Sequence, residues 1–542
     1  MDRLRGADIV AKALERLGVT RIFTLSGNHI MPIFDALLAT KIQLVHVRQE
    51  AACVHMADAW GRLTGEVGVA LVTGGQGMSN GAAALFTALA AESPVLLLSG
   101  HAGLKESGRG AFQELAQADI ARPMTKASWT ASSVATLGTD LATAMRIALE
   151  GRPGPVHLAL PVDLLEESVD ERSIRLPDAV TPVAVAPASD LIDRVARIVA
   201  DHERPLILVG PAMCGDERRS KSDALARRIG VPIVAMESPR GTNDPSLGSF
   251  AEILEDADLL VLIGKPLDFT LKFGEAPAIS GDCKFVVIDP DPELVARAAR
   301  SKGDRLLASG IADPSAVLEA LGSSEVSDGS GHGEWYRRVG AALSYEPPEW
   351  NDAESPDRVH PVQLCRAVRD FLGKHPGGTL ICDGGEIGQW PQAIVKGERR
   401  LVNGVSGTIG ASIPFAIATR CLNPTGPVIA ILGDGTFGFH MAELDTAVRY
   451  DLPIIVVIGN DARWNAEYQI QLRSYGIDRA NNCELLPSRY EQVAEALGGV
   501  GIRVTSPGEL PAALEAAHAS GKPTCINVLI EGVPAPAIRR PT

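Results

Sequence analysis

Short, almost wholly apolar runs alternate with longer stretches of helical periodicity along most of the chain. Residues 67–72, 259–263 and 427–432 are nearly all apolar, which is typical of parallel strands buried on both faces. Between such runs apolar positions recur every three or four residues, as in residues 6–17 and 50–63, and this spacing predicts amphipathic helices. The alternation predicts an α/β fold built from doubly wound parallel sheets.

Segments that lack either period divide the chain into three units. A Pro-, Ala- and Val-rich stretch at residues 177–188 is typical of a linker, and a second linker is predicted at residues 323–333 and 346–357. A length of 542 residues accommodates about three domains. The predicted domains are residues 1–170, 188–323 and 358–535.

Composition narrows the classes of function. The net charge of −15 disfavours a nucleic-acid partner, which would need a basic surface. No uninterrupted apolar run is long enough to span a membrane, and the first eight residues lack the apolar core of a signal peptide. The eight cysteines are scattered without a CxxC pair, as expected for reduced thiols. We therefore expect a cytoplasmic protein that acts on small molecules and has no nucleic-acid or membrane partner.

The clearest chemical signal lies in the third unit, at Gly433-Asp434-Gly435 and Asn460-Asp461. Each follows a predicted strand, and a predicted helix at residues 441–450 lies between them. The two aspartates should therefore lie at the carboxyl edge of one sheet, where open α/β sheets bind ligands. Carboxylate oxygens suit Mg²⁺, and glycines let a diphosphate approach the backbone. The alternative is that both are ordinary turns at strand ends.

Together the two elements resemble the signature of thiamine-diphosphate (ThDP) enzymes of the acetolactate synthase, benzaldehyde lyase and 2-hydroxyacyl lyase group. That signature opens with Gly-Asp-Gly and closes about 27 residues later with Asn-Asn. The resemblance extends over nearly the whole chain. It implies a pyrimidine-binding first domain, a Rossmann-like central domain, a diphosphate-binding third domain, and ThDP and Mg²⁺ as cofactors. It also implies a homodimer or homotetramer in which the first domain of one subunit faces the third domain of another.

The resemblance implies three metal ligands in the third domain. Asp434 is the aspartate that opens the signature, and Asp461 stands where the family has its second asparagine. The third ligand is then the backbone carbonyl of Arg463, whose side chain would offset the extra negative charge if it turned inward. The other cofactor contacts predicted from this signature are Gly433, Gly435, Thr436 and Trp464.

Two further loops of the third unit match the diphosphate-binding domain of the family. Residues 383–390 fit the family pattern D-x-G-x-x-x-x-W, which assigns Gly385, Glu386 and Ile387 to the cofactor. Residues 406–410, Ser-Gly-Thr-Ile-Gly, match a second loop. By that match the Gly407 carbonyl accepts the 4′-amino group, and Ile409 replaces the methionine that supports the bent cofactor. The alternative for Ile409 is a purely structural core position.

Glu50 is the predicted catalytic residue of the first unit. It follows a predicted strand at residues 43–47 and begins a helix in Arg48-Gln49-Glu50-Ala51-Ala52. This segment is similar to one in which the family glutamate hydrogen-bonds N1′ of the aminopyrimidine and promotes loss of the thiazolium C2 proton. Gln49 stands where the family commonly has histidine. The alternative is a helix-terminal glutamate that the helix dipole favours.

Three more loops complete the predicted site of the first unit. Residues 73–80 nearly match a dinucleotide fingerprint, but Asn80 replaces its third glycine, so NAD is disfavoured. The family has T-x-G-x-G-x-x-N there, which assigns Thr73 and Asn80 to the cofactor.

Gly27-Asn28-His29-Ile30 resembles the Gly-x-His-Ile of benzaldehyde lyase and 2-hydroxyacyl lyase-like proteins. His29 could move protons at the reacting carbon, or it could be a hydrogen-bonded loop histidine. Gln113 matches a family glutamine beside the thiazolium. Gly27 and Asn28 are further predicted cofactor contacts.

The resemblance predicts an acetolactate synthase-like carboligase, a transferase or lyase acting beside the carbonyl of a 2-oxo acid or 2-hydroxy ketone. The alternatives are a benzaldehyde lyase or 2-hydroxyacyl lyase type and a simple 2-oxo acid decarboxylase. FAD is doubtful, because Lys265-Pro-Leu-Asp-Phe269 stands where acetolactate synthases have a flavin-binding segment. A non-catalytic homologue is disfavoured, because Glu50, Gln113, Gly407 and Asp434 are all present.

Overall fold

The computed structural model describes residues 3–323, 332–395, 397 and 399–540. Within these ranges the strands form three parallel sheets, each flanked by helices, and a short antiparallel ribbon. The predicted α/β architecture of three doubly wound units is confirmed. Most of the linker predicted at residues 323–333 lies outside the described residues. No helix in the described ranges is long and apolar enough to cross a membrane.

The first domain contains the ribbon and one of the parallel sheets. Its elements are β1 (Arg3–Arg5), α1 (Gly6–Arg16), β2 (Arg21–Thr24), α2 (Met31–Leu37), β3 (Gln43–His46), α3 (Glu50–Thr64), β4 (Gly68–Val72), α4 (Gln76–Ala90), β5 (Val95–His101), α5 (Gln117–Ala121), β6 (Ala127–Thr130), α6 (Leu137–Leu149), β7 (Val156–Pro161), α7 (Val162–Glu166) and β8 (Ser168–Asp170). The strand order is β3-β2-β4-β5-β7-β6, and β1 pairs with β8. Strands β4, β5 and β7 are buried along their whole length, as their apolar sequences predict.

The central domain has a smaller parallel sheet. Its elements are α8 (Ser189–Ala200), β9 (Pro205–Val209), α9 (Asp216–Ile229), β10 (Ile233–Ala235), α10 (Phe250–Asp256), β11 (Leu259–Ile263), β12 (Lys284–Ile288), α11 (Pro292–Lys302), β13 (Leu306–Gly310), α12 (Pro314–Ser323) and α13 (Gly333–Leu343). The strand order is β10-β9-β11-β12-β13. This order reverses between β9 and β11, as in other doubly wound nucleotide-binding folds.

The third domain repeats the architecture of the first. Its elements are α14 (Pro361–Lys374), β14 (Thr379–Cys382), α15 (Gln389–Ile394), β15 (Arg399–Val402), α16 (Ser412–Leu422), β16 (Val428–Gly433), α17 (Asp434–His440), α18 (Glu443–Arg449), β17 (Ile455–Asn460), α19 (Asn465–Tyr475), α20 (Tyr490–Ala496), β18 (Val500–Val504), α21 (Leu510–Ala519) and β19 (Thr524–Leu529). The strand order is β15-β14-β16-β17-β19-β18.

The first and third domains share a hydrophobic core. Helix α3 packs against both α4 and α16, so that Val54 and Met56 belong to the same buried cluster as Phe415 and Ile417. At the end of α3, Arg62 forms an ion pair with Asp58 at 2.7 Å and donates to the Val402 carbonyl at 2.8 Å. The shared core holds these two domains in one arrangement within the chain.

Two segments contain elements beyond those that local sequence predicts. The helix predicted at residues 441–450 is present as α18 (Glu443–Arg449), and a separate helix, α17, precedes it from Asp434. Residues 111–128 include α5 and the start of the edge strand β6. Ala127 and Trp129 of β6 pack against the first-domain core, and this tertiary contact outweighs the polar local sequence.

Candidate functional site

The predicted site residues of the first domain lie at one edge of its sheet. His29 follows β2, Glu50 follows β3, residues 73–80 follow β4, and Gln113 lies beyond β5. These strands are parallel and adjacent in the order β3-β2-β4-β5, so their carboxyl ends meet at the same edge. We call Gly27, Asn28, His29, Glu50, Thr73, Asn80 and Gln113 the first-domain cluster.

Within this cluster the Glu50 carboxylate is hydrogen-bonded on one side and open on the other. Glu50 is the first residue of α3, and the amide of Asn80 donates a hydrogen bond to its Oε2 at 3.0 Å. A Cβ atom at Gly77 would lie 3.5 Å from Glu50 Oε1 and 2.8 Å from Thr73 Cγ2, so glycine preserves the space beside the carboxylate. The Gln49 side chain accepts from the Ala51 amide at 2.7 Å and caps α3. This cap gives Gln49 a structural role that the family comparison did not predict.

His29 is buried at the same edge, with only 5% of its surface exposed. Its Nδ1 lies 3.3 Å from Thr73 Oγ1, and its ring stacks on Phe112 with the centroids 5.9 Å apart. Burial lowers the pKa of His29, which favours the neutral imidazole at physiological pH. A neutral imidazole can accept a proton at one nitrogen and donate at the other.

Close backbone contacts fix the loops around His29. A Cβ atom at Gly27 would lie 2.4 Å from the Thr73 Cβ, so only glycine fits between these loops. Gln113 adopts a φ of 56°, and its carbonyl oxygen would lie 2.6 Å from a Cβ at Gly75. The first-domain cluster is therefore compact, and Gln113 belongs to it through its backbone. The Asn28 side chain is exposed beside it.

The two predicted metal carboxylates lie at the carboxyl edge of the third sheet. Asp434 follows β16 and Asp461 follows β17, and both are buried. Asp434 Oδ2 has no hydrogen-bond partner among the described residues. Burial raises the pKa of Asp434 to about 6. Burial and the nearby Asp434 charge raise the pKa of Asp461 to about 7. Two buried carboxylates that destabilise each other's charge suit a divalent cation between them.

The turn after Asp461 has an unusual backbone conformation at Ala462. Ala462 has a φ of 58°, an uncommon left-handed conformation that redirects the chain at Arg463. The Asn460 side chain is fully buried, bonds Ser488 and Asn527, and accepts from the Ala462 amide at 3.2 Å. These bonds occupy the Asn460 amide, whereas Asp461 lines the cleft. The Arg463 guanidinium lies over the Tyr468 ring at 4.5 Å.

No group of three or more His, Cys, Asp and Glu side chains suited to a metal occurs in the described ranges. A cation at Asp434 and Asp461 would therefore complete its coordination with main-chain and ligand oxygens. Mg²⁺ usually takes such a set, because it binds one or two carboxylates together with phosphate oxygens and water.

Most of the residues predicted to contact the cofactor line one cleft of the third domain. They are Gly385, Glu386, Ile387, Ile409, Gly433, Gly435, Thr436, Asp461, Arg463 and Trp464. A Cβ at Gly435 would lie 2.7 Å from the Trp464 ring, and one at Gly385 would lie 2.8 Å from the Ala466 Cβ. These glycines therefore allow close packing around the cleft. Gly407 is exposed and has a φ of 69°.

Two acidic residues near the cleft serve structural contacts. Asp383 Oδ2 accepts from the amides of Gly410 at 3.0 Å and Ser412 at 2.9 Å, and so ties two loops together. Sequence reasoning missed this role, although Asp383 is the first residue of the D-x-G pattern. The predicted cofactor residue Glu386 accepts from Arg240 at 3.3 Å and from the Ala535 amide at 3.1 Å. Its Oε2 is therefore committed to protein contacts.

Within one chain, the first-domain cluster and the third-domain cleft are surrounded by different residues. The third-domain cleft is lined by residues 385–467 alone, and the contacts of the Glu50 carboxylate come from its own domain. Large apolar side chains are exposed beside both: Phe112 is 68% exposed next to His29, and Phe439 is 54% exposed next to Gly410. Exposed aromatic groups at functional loops are typical of surfaces that another chain or a ligand covers.

Comparison with known proteins matches all three domains to one family. Residues 4–120 match the N-terminal TPP binding domain of thiamine pyrophosphate enzymes, 192–321 the central domain, and 383–528 the C-terminal TPP binding domain. Thiamine pyrophosphate (TPP) is another name for ThDP.

Curated relatives resemble the chain over nearly its whole length. The chain is 30% identical to 2-hydroxyacyl-CoA lyase 2 of Mus musculus over 550 residues, which cover 92% of this chain and 84% of that protein. It is 29% identical to a probable acetolactate synthase of Mycobacterium bovis over 538 residues, 96% of this chain and 95% of that protein. An acetolactate synthase of Bacillus subtilis is 28% identical over 558 residues, which cover 97% and 93% of the two chains. The chain therefore belongs to the thiamine pyrophosphate enzymes and is a ThDP-dependent enzyme.

Proposed function

We propose that the protein is an Mg²⁺- and ThDP-dependent, acetolactate synthase-like enzyme that forms or cleaves a C–C bond beside a carbonyl group. The observation that carries this proposal is the buried Asp434–Asp461 pair beside three glycine-containing loops. The similarity to acetolactate synthases and to 2-hydroxyacyl-CoA lyases supports the same chemistry. Substrates would be 2-oxo acids or 2-hydroxy ketones.

The residues of the third domain fit the diphosphate end of the cofactor. Asp434, Asp461 and the Arg463 carbonyl would hold Mg²⁺, and the unpartnered Asp434 Oδ2 is an acceptor that lacks a donor. Gly433 and Gly435 keep the backbone open beside them, as a diphosphate requires. When bound, ThDP would supply an electron sink for the substrate's carbonyl carbon while the bond beside it breaks or forms.

Residues of the first domain would control protons. Glu50 would hold a proton at the aminopyrimidine N1′, because Asn80 fixes Oε2 while Oε1 faces the space at Gly77. His29 would move a proton to or from the substrate oxygen, and its buried neutral ring suits that task near pH 7. Gln113 would position the substrate oxygen. Phe112, stacked on His29, would exclude water from the reacting atoms.

His29 favours a second candidate, a 2-hydroxyacyl lyase or benzaldehyde lyase type of enzyme. Cleavage of a 2-hydroxy compound begins with removal of the hydroxyl proton, and a buried neutral histidine against Thr73 can accept that proton. In acetolactate synthase chemistry the first substrate is a 2-oxo acid, which has no hydroxyl proton to lose before CO₂ leaves. A simple 2-oxo acid decarboxylase is the remaining alternative.

We infer that the active site forms between two chains. The cleft around Asp461 is lined by third-domain residues alone, and Phe112 and Phe439 are exposed at the two clusters. A twofold pairing of first and third domains would cover both aromatic side chains and complete two sites at once. We therefore propose a homodimer or a homotetramer. We also propose a cytoplasmic location, which the eight unpaired cysteines support.

Product analysis tests the reaction type. The holoenzyme would be supplied separately with a 2-oxo acid, a 2-hydroxy ketone and a 2-hydroxyacyl thioester, and CO₂, aldehyde and acyloin would be measured. Acyloin with CO₂ supports the synthase, and aldehyde without CO₂ supports the lyase. Aldehyde with CO₂ supports the decarboxylase. Absence of all three products would contradict the proposed function.

A further inference from the structure

Helix α18 of the third domain contacts the turn that precedes Glu50. This turn, residues 46–49, joins β3 to α3 and is called the 46–49 turn below. The Tyr450 hydroxyl accepts from the His46 amide at 2.8 Å, and Arg449 donates to the His46 carbonyl at 2.7 Å. Glu443 accepts from the Arg48 amide at 3.0 and 3.2 Å. Together these bonds fix the backbone that leads into α3.

Of the three side chains that contact the turn, Glu443 is the buried one. Its side chain is fully buried, and Thr446 Oγ1 donates to its Oε2 at 2.6 Å. Hydrogen bonds from backbone amides to a carboxylate are about twice as strong as neutral ones. A carboxylate buried at this depth is retained only where such donors satisfy it. Glu443 therefore holds the Arg48 amide of the turn, and Glu50 is the second residue after Arg48.

Helix α18 and the preceding helix α17 are connected to the edge of the third-domain sheet where the cofactor would bind. Asp434 is the first residue of α17, and Glu443 is the first residue of α18, nine positions later. His440 at the end of α17 hydrogen-bonds the Gly410 carbonyl at 2.7 Å, and Gly410 follows Ile409. Its ring also contacts His55 of α3 with the centroids 5.6 Å apart. Residues 434–443 thus join the metal-binding carboxylate to the turn before Glu50.

We propose that Glu443 is a positioning residue through which cofactor binding at the α17 end fixes the orientation of Glu50. The inference rests on the proposed function, in which Asp434 holds the metal and Glu50 holds the N1′ proton. Because Glu50 would serve the site completed by the partner chain, Glu443 links the two active sites of a dimer. Cofactor bound by one chain would then prepare the catalytic carboxylate that the same chain offers to its partner.

Amide hydrogen exchange of the full-length protein tests this link. In the wild type, Mg²⁺ and ThDP should slow exchange in a peptide covering residues 46–52. Glu443→Gln replaces one acceptor oxygen with a donor that opposes the Arg48 amide. It should raise exchange of this peptide roughly tenfold or more. In Glu443→Gln, Mg²⁺ and ThDP should also slow exchange of this peptide much less than they do in the wild type. If Mg²⁺ and ThDP slow exchange equally in both proteins, the proposal is wrong.

Kinetics supply the second measurement. Glu443→Gln should lower kcat roughly tenfold or more, with KM for the substrate within about twofold, because Glu50 acts on the chemical step rather than on substrate binding. Thr446→Val removes the hydroxyl that orients Glu443 and should give a smaller change in the same direction, which keeps the test valid if the first variant folds poorly. Glu495→Gln, an exposed carboxyl on α20, is the matched control and should behave as wild type.

The outcomes separate this inference from the proposed function. Unchanged kcat and unchanged exchange in both Glu443→Gln and Thr446→Val would overturn the positioning role. An active Glu50→Gln enzyme that still shows the exchange pattern would overturn the function assigned to Glu50. The exchange measurement would in that case still establish the contact between α18 and the 46–49 turn, but the inferred catalytic role of Glu443 would fall with that of Glu50.

Discussion

At the residue scale, Glu50 is the group on which the proposed proton chemistry depends. Replacing Glu50 by Gln keeps its size and its contact with Asn80 but removes the site that takes a proton. We expect turnover to fall roughly 100-fold or more, in line with the loss of a general acid–base group. Binding of ThDP should remain nearly unchanged, because the third domain holds the diphosphate. Steady-state rates and titration calorimetry with ThDP measure the two effects, and turnover within threefold of wild type would refute the assignment.

Asp461 carries a separate prediction, because it replaces an amide of the family signature with a carboxylate. Asp461→Asn should remain active, since the amide oxygen can fill the same coordination position. Asp461→Ala should weaken Mg²⁺ binding in the presence of ThDP by about tenfold or more. Calorimetric titration of Mg²⁺ into each protein at saturating ThDP is the measurement. Equal affinity in the Ala variant and the wild type would exclude Asp461 as a ligand.

At the element scale, strand β7 contains a histidine whose titration should affect stability. His157 is fully buried between the hydroxyls of Ser99 and Ser128, each 2.8 Å from one ring nitrogen. Burial, with a smaller effect from His101, lowers the pKa of His157 to about 3. In the unfolded chain the His157 imidazole therefore takes up a proton near pH 6.5, whereas in the folded chain it stays neutral at that pH. Stability from this group is complete above that pH and is lost as the pH falls.

This sign gives a measurable difference. Between pH 7 and pH 5 the His157 term alone should cost the wild type about 2 kcal/mol of unfolding free energy. The glutamine of His157→Gln cannot titrate but can still hydrogen-bond the neighbouring hydroxyls. Between pH 7 and pH 5 the unfolding free energy of this variant should therefore fall by about 2 kcal/mol less than that of the wild type. Denaturant unfolding at the two pH values and a fixed protein concentration measures it. Equal losses in both proteins would show that His157 does not titrate as its burial implies.

At the scale of the whole molecule, subunit mixing tests where the active site forms. Glu50→Gln and Asp434→Ala each inactivate a different cluster. If the site lies between chains, a mixed dimer contains one site with both clusters intact. Half of the dimers in an equal, randomised mixture are mixed, so about a quarter of wild-type activity should return. A site within one chain would give no recovery, and an active monomer in light scattering would contradict the dimer as well.

Local sequence determined much of this protein. The apolar runs at β4, β11 and β16 predict buried parallel strands, because a strand covered on both faces has no polar side. The spacing of Asp434 and Asp461 places two carboxylates at the ends of neighbouring strands, because consecutive β-α-β units run in parallel. Family resemblance then identifies the loops that lie at the same edge.

Tertiary structure decided what local pattern could not. The edge strand β6 forms because Trp129 and its neighbours pack against the core of the first domain. Asn460 is satisfied by Ser488 and Asn527, which lie 28 and 67 residues away, so its role could not be inferred from its neighbours. Glu443 approaches the turn before Glu50 across 395 residues of sequence. Such contacts depend on how domains pack, and periodicity along the chain carries no information about that packing.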